Sequence, residues 1–84
     1  MAANPGFPLV LDVKGWTVLV IGGDEEASDK TQRLLESGAR VTVISPTLNE
    51  MLRNLAASAK VIRRGRHFRD TDLERAVLVL NTLR

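Results

Sequence analysis

The sequence predicts an α/β fold built on a parallel sheet, and three observations carry that expectation. Thr17 to Ile21, Arg40 to Ile44 and Val77 to Leu80 are runs dominated by β-branched and aliphatic residues, which suit strands covered on both faces. Apolar residues between the runs recur at helical spacing. Glycines, a serine and a proline punctuate the junctions. The resulting alternation of strand and helix is the βαβ pattern. Right-handed crossovers then set the strand order 3-2-1-4, with a cleft at the carboxyl ends of strands one and four.

Each element has its own signal. Pro5, Gly6 and Pro8 keep residues 1–8 out of a helix and predict an extended arm. Leu9, Val10 and Leu11 make a short apolar strip, and Asp12 to Gly15 a polar turn. Thr17 to Ile21 is the first central strand, ended by Gly22 and Gly23. From Glu25 to Ser37 the period becomes helical, with Ala27, Thr31, Leu34 and Leu35 on one face, and Gly38 stands where a left-handed residue is wanted. Ser45-Pro46-Thr47 stops the second strand. Thr47 with Glu50 predicts a capping box for a second helix, whose apolar side carries Leu48, Met51, Leu52, Leu55 and Ala59. Val61 and Ile62 predict a third, short strand, and Asp70 a cap for a brief helical turn through Arg75. Val77 to Leu80 is the fourth strand, and only four residues follow it. The fold is thus expected to be incomplete at the C-terminus, with residues 1–84 forming one domain that is a portion of a longer one.

Composition limits the function classes. A chain of 84 residues allows one small domain with a thin core, burying about 60–65% of its unfolded surface. The absence of cysteine excludes disulfides and thiolate-bound metals, and a single histidine excludes a multi-histidine site within one chain. No metal ligand set is therefore predicted. No stretch approaches the apolar length of a membrane span, and no basic-then-apolar leader opens the chain, so a cytoplasmic protein is expected. Charge is uneven: residues 1–50 carry −3 and residues 51–84 carry +5. Arg63, Arg64, Arg66, His67 and Arg69 make the densest basic cluster. Phosphate of nucleic acid would suit it, but Phe68 is its only aromatic and no nucleic-acid module is present, so a solvated loop is the plainer reading. Trp16 and Phe68 read as packing residues.

The chemistry-bearing feature is the turn after the first strand. A strand followed at once by glycines and a helix presents backbone N–H groups and the helix amino terminus to a pyrophosphate, as in the Rossmann arrangement. Gly22 supplies the tight turn and Ala27 the small residue that lets helix and strand approach. Asp24 stands where the pattern wants its middle glycine, and Glu25 and Glu26 follow. Carboxylates favour the first turn of a helix, so the same trio can stabilise the helix and repel an anion. At the end of the second strand, where an acidic residue often holds the ribose, the chain has Ser45, Pro46 and Thr47. NAD is the expected cofactor, although these residues do not separate it from NADP.

Taken together, Phe7-Pro8-Leu9, Lys14-Gly15, Val18 to Gly23, Ala27, Lys30, Leu34-Leu35, Gly38 to Val43 and Pro46 resemble the amino-terminal domain of siroheme synthase and its precorrin-2 dehydrogenase and sirohydrochlorin ferrochelatase relatives. The resemblance implies an NAD-dependent oxidation of precorrin-2 to sirohydrochlorin, a tetrapyrrole partner and, in bifunctional members, iron insertion. By position it implies that Asp24, Glu25 and Glu26 contact the dinucleotide through their backbone, with Pro46 and Thr47 near its adenosine end. The chain departs from the family at Asp24, at Asp29 in place of an arginine, and after the fourth strand, where Asn81-Thr82-Leu83-Arg84 lacks the family's aspartate. No catalytic residue is therefore assigned. A homodimer is left open, and the alternative function is a noncatalytic, degenerate domain of regulation or assembly.

Overall fold

A computed structural model describes residues 10–83 of the chain. The extended arm and Leu9 lie outside the described residues. Four strands, β1 (Thr17–Ile21), β2 (Arg40–Ile44), β3 (Ile62–Arg64) and β4 (Leu78–Asn81), form one parallel sheet in the order β3-β2-β1-β4. Helix α1 (Glu25–Glu36) joins β1 to β2, helix α2 (Glu50–Ala57) joins β2 to β3, and a 3₁₀ turn (Asp70–Leu73) lies between β3 and β4. The expected order and the parallel pairing are both found. Val20 faces Val43 across β1 and β2, and Val18 faces Leu78 across β1 and β4.

Strand alternation explains why the central runs are apolar throughout. Val18, Val20, Val41 and Val43 share one face with Ala27 of α1 and with Leu48 and Leu52 at α2, forming the main core. Val18, Val20, Val43 and Leu52 are wholly removed from solvent, and each such side chain contributes about 1.5–3 kcal/mol of hydrophobic stabilisation. Leu19, Ile21, Thr42 and Ile44 alternate onto the opposite face and are buried as well. Trp16, Leu34, Leu35 and Leu55 pack around the main cluster, which accounts for Trp16 as a packing residue.

Helix α1 ends as its sequence predicts. Ser37 is its C-cap, Gly38 takes the left-handed conformation at φ 84°, and Ala39 N–H donates to Leu34 O. On its inner face Ala27 and Thr31 are fully buried. The Thr31 hydroxyl has no hydrogen-bond partner among the described residues.

Four expectations are corrected. The cap of α2 is Asn49, whose Oδ1 accepts from Leu52 N–H at 2.9 Å, so Thr47 is not the capping residue. Met51 is exposed, and Ala59 lies beyond the helix at φ 58°, because α2 has closed two residues earlier at Ala57. The last two strands each begin one residue later than predicted, at Ile62 and Leu78, and run further, into Arg64 and Asn81. Asp70 does not cap the short turn: Arg69 stands at the N-cap, and Asp72, inside the turn, accepts from Arg69 N–H at 2.8 Å. Val10 and Leu11 of the apolar strip lie outside any strand and are exposed.

Candidate dinucleotide site at the carboxyl edge

The carboxyl ends of β1, β2 and β4 meet at one edge, and the residues singled out by sequence meet there. Gly22 follows β1 at φ 130°, a conformation that disfavours any side chain, and donates its N–H to Ile44 O at 3.0 Å. A Cβ on Gly22 would collide with Thr82 Oγ1. Thr82 is buried just past β4, and both its N–H and its hydroxyl donate to Ile21 O, at 3.0 and 2.9 Å. Gly22 is thus pressed between the ends of two neighbouring strands.

Gly23 is held against the β2 loop. A Cβ there would run into the Thr47 carbonyl oxygen and lie 2.8 Å from Ser45 Oγ. Its own carbonyl accepts Asn49 N–H at 2.8 Å. The double glycine therefore has a reason that the sequence reading did not supply: it lets the β1 turn, the β2 loop and the end of β4 approach to van der Waals contact. The two loops that would hold a dinucleotide form one packed unit.

A second link joins the two helix starts. Asn49 Nδ2 donates to Ser28 Oγ at 3.0 Å, and Ser28 Oγ donates to Glu25 O at 3.0 Å. The amino termini of α1 and α2 are thereby fixed relative to each other beside the site. Asn49, Ser28 and Thr82 were missed from sequence as site-forming residues. Asn49 had a signal, since asparagine is as good a cap as threonine. Thr82 had none, because its contact with Gly22 spans 60 residues of chain.

Asp24 is extended and exposed, and its Oδ1 accepts from Ala27 N–H at 3.3 Å. The first N–H groups of a helix lack intrahelical partners, so this carboxylate takes up one donor that an anionic ligand would otherwise use. Glu25 and Glu26 occupy the first turn and are exposed, stabilised there by the helix dipole. Ser45 is buried, with its N–H donating to Arg64 O at 3.1 Å, while Pro46 and Thr47 are exposed at the rim. Neither Gly22–Glu26 nor Ser45–Thr47 contains a lysine or arginine. The edge offers backbone donors and close approach for a diphosphate, but no cation.

A cavity of about 230 Å³ opens beside these loops, lined by Ile21, Ile44, Ser45, Pro46, Thr47, His67, Phe68 and Leu83. Phe68, expected only to pack, is half-buried in its wall. Of the basic cluster, His67 lines this cavity and none of the arginines does. Arg63 lies exposed in β3, and Arg64 and Arg66 line a polar cavity of about 290 Å³ with Asp72 and Arg75. Arg66 grips Asp72 with two hydrogen bonds, at 2.8 and 2.7 Å. That bidentate contact holds the Asp72 carboxyl well below the usual carboxylate range, helped by Arg69 N–H, and raises Arg66. Among the described residues, no helix is long and apolar enough to cross a membrane.

Relatives share this stretch. The chain is 34% identical over 73 residues to siroheme synthase of Nitrosococcus oceani and 39% identical over 77 residues to siroheme synthase of Nitrosospira multiformis. Each match covers 87% of this chain but only 16% of the relative, so the chain spans about a sixth of the length of the curated relatives it matches. A solved structure titled "SirC, precorrin-2 dehydrogenase" superposes with a TM-score of 0.86 at 26% identity, over 93% of this chain and 39% of that one. The strand order, the glycine turn and a family-model match over residues 9–83 agree: the chain belongs to the family described as "Putative NAD(P)-binding".

Proposed function

We propose that this chain is the NAD-binding portion of a precorrin-2 dehydrogenase-type enzyme of siroheme biosynthesis, which oxidises precorrin-2 to sirohydrochlorin. The observation that carries the reading is the junction of the Gly22–Glu26 turn with the Ser45–Thr47 loop, tied by Asn49 N–H to Gly23 O. In this reading residues 1–84 act as one module within a longer domain. The names of the relatives, siroheme synthase and precorrin-2 dehydrogenase, supply the substrate.

Gly22, Gly23 and the backbone of Asp24, Glu25 and Glu26 would receive the diphosphate, at the end of α1 where the dipole favours negative charge. Ser45, Pro46 and Thr47 would lie along the adenosine half. When bound, NAD supplies a hydride acceptor. The chain's own part would be to orient it: the two glycines let the β1 turn close against Thr82 and the β2 loop, and the Asn49–Ser28 link ties the starts of the two helices. A tetrapyrrole with many carboxylates would meet the basic half of the chain, residues 51–84.

One observation favours a second reading, a noncatalytic domain that has lost its cofactor. Asp24 already accepts from Ala27 N–H, beside Glu25 and Glu26. Calorimetric titration with NAD and NADH on the wild type and on Asp24→Gly separates the two. The proposed function requires wild-type binding, tightened in Asp24→Gly by the loss of a like charge. A silent wild type with a binding glycine variant would establish the degenerate reading instead.

A further inference from the structure

We propose that the polar cavity between the end of β3 and the 3₁₀ turn is a site for a terminal phosphate group, free or carried by a small ester, held by Arg64, Arg66 and Arg75. It stands apart from the dinucleotide edge: its lining, Arg64, Arg66, Thr71, Asp72, Glu74 and Arg75, shares no residue with the cavity beside Ser45–Thr47. Its volume, about 290 Å³, lies at the lower end of the roughly 300–1,000 Å³ of small-molecule pockets, which leaves room for a phosphate and a small organic remainder.

The three arginines are not equivalent. Asp72, its side chain only 5% exposed, accepts both Arg66 bonds and the Arg69 N–H, so its charge is answered inside the fold. Arg66 Nη1 also donates to His67 O at 3.1 Å. The guanidinium is thereby fixed in orientation, with its Nε–H and one Nη2 hydrogen uncommitted among the described residues. A donor already held in place loses little freedom when a ligand arrives. Arg64 at the end of β3 and Arg75 beyond the 3₁₀ turn are exposed, and their side chains make no hydrogen bond or ion pair among the described residues. With Arg66 and Asp72 cancelling, Arg64 and Arg75 outweigh Glu74, and an anion between the arginines would relieve their mutual repulsion.

The lining also selects among anions. Guanidinium groups from three points of the chain, with the Thr71 hydroxyl, match the several oxygens of a tetrahedral dianion, whereas a planar carboxylate is satisfied by a single arginine fork. Glu74 opposes any anion by its charge, but its carboxylate can accept the proton that inorganic phosphate keeps near neutral pH and that sulfate lacks. The diphosphate of NAD has no terminal phosphate group, so the dinucleotide itself is not expected here.

Inorganic phosphate, ribose 5-phosphate, sulfate and acetate are titrated into the wild type, Arg64→Gln, Arg75→Gln and Glu74→Gln, followed by calorimetry and amide-resolved NMR. Saturable phosphate binding is expected, with amide shifts on residues 64–75 and not on residues 22–26. Arg64→Gln and Arg75→Gln should each weaken it about tenfold, the worth of one charge-assisted hydrogen bond. Both side chains are exposed, so neither change threatens the fold, and the wild-type shifts decide the matter without them. Sulfate and acetate should bind more weakly than phosphate, and Glu74→Gln should narrow the gap between phosphate and sulfate. Tighter binding of ribose 5-phosphate assigns an ester and tighter binding of inorganic phosphate the free ion; either order sustains the site. No saturable binding, shifts confined to residues 22–26, affinity indifferent to Arg64 and Arg75, or acetate binding as tightly as phosphate overturns it. NAD titration alone tests the dinucleotide reading, so either site can fail while the other stands.

Discussion

Gly22→Ala tests the geometry of the edge through a double-mutant cycle with Thr82→Ala. Two separable costs are expected. The φ of 130° at Gly22 burdens any side chain, by about 1–3 kcal/mol. The new Cβ also meets Thr82 Oγ1 in a buried site, and overpacking of that kind costs about 1–3 kcal/mol more. A chain of this length has a total stability of about 4–12 kcal/mol, so the single variant should be severely weakened. Thr82→Ala alone removes the hydroxyl bond to Ile21 O, worth about 0.5–1.5 kcal/mol, while the N–H bond to the same oxygen survives. In the double variant the steric term vanishes and the backbone term stays, so the effects should fail to add by about 1–3 kcal/mol in the relieving direction. Urea denaturation followed by circular dichroism measures all four corners. Additivity within about 0.5 kcal/mol would refute the contact between the ends of β1 and β4.

Other substitutions test the supporting structure. Asn49→Ala removes the α2 cap and the link to Ser28, and should cost about 1–2 kcal/mol, lowering Tm by about 4–8 °C per kcal/mol in a thermal scan. Thr31→Val replaces a wholly buried, unpartnered hydroxyl by a methyl group and should raise stability by about 1 kcal/mol; a lower Tm would mean that the hydroxyl is satisfied. The depressed Asp72 carboxyl contributes stability above its unfolded value near pH 3.8, and that contribution fades as pH falls from there toward its folded value. The difference in Tm between wild type and Asp72→Asn should therefore be constant near neutrality and shrink below about pH 4; a difference that grew on acidification would contradict the pairing with Arg66.

The sheet was legible in the sequence because its central strands are buried on both faces and so show unbroken apolar runs. Arg40 to Ile44 needed no partner information to be read, and the order followed from crossover handedness. Strand ends were less legible: Arg63, Arg64 and Asn81 are polar, and their place in β3 and β4 is decided by pairing with β2 and β1 rather than by hydropathy. The α2 cap was misassigned because Thr47 and Asn49 are both good caps, and only the fold shows that Thr47 turns its carbonyl toward Gly23 while Asn49 reaches Leu52 and Ser28. The glycine turn was legible from sequence, as a tight turn and an expected phosphate cradle. That Gly22 and Gly23 also make room for Thr82 and Thr47 depends on contacts between distant segments, which no local pattern records. The Arg66–Asp72 clasp is six residues apart across a loop, a spacing with no helical or strand periodicity to announce it.

The central claim is that a dinucleotide lies along the carboxyl edge, over the start of α1 and the loop after β2. Amide-resolved NMR during an NAD titration addresses it directly. Saturable shifts are expected, confined to the amides of residues 22–26, Ser45 and Thr47 and to the walls of the adjoining cavity. Shifts absent there, or concentrated on Arg64, Arg66 and Arg75, would contradict it.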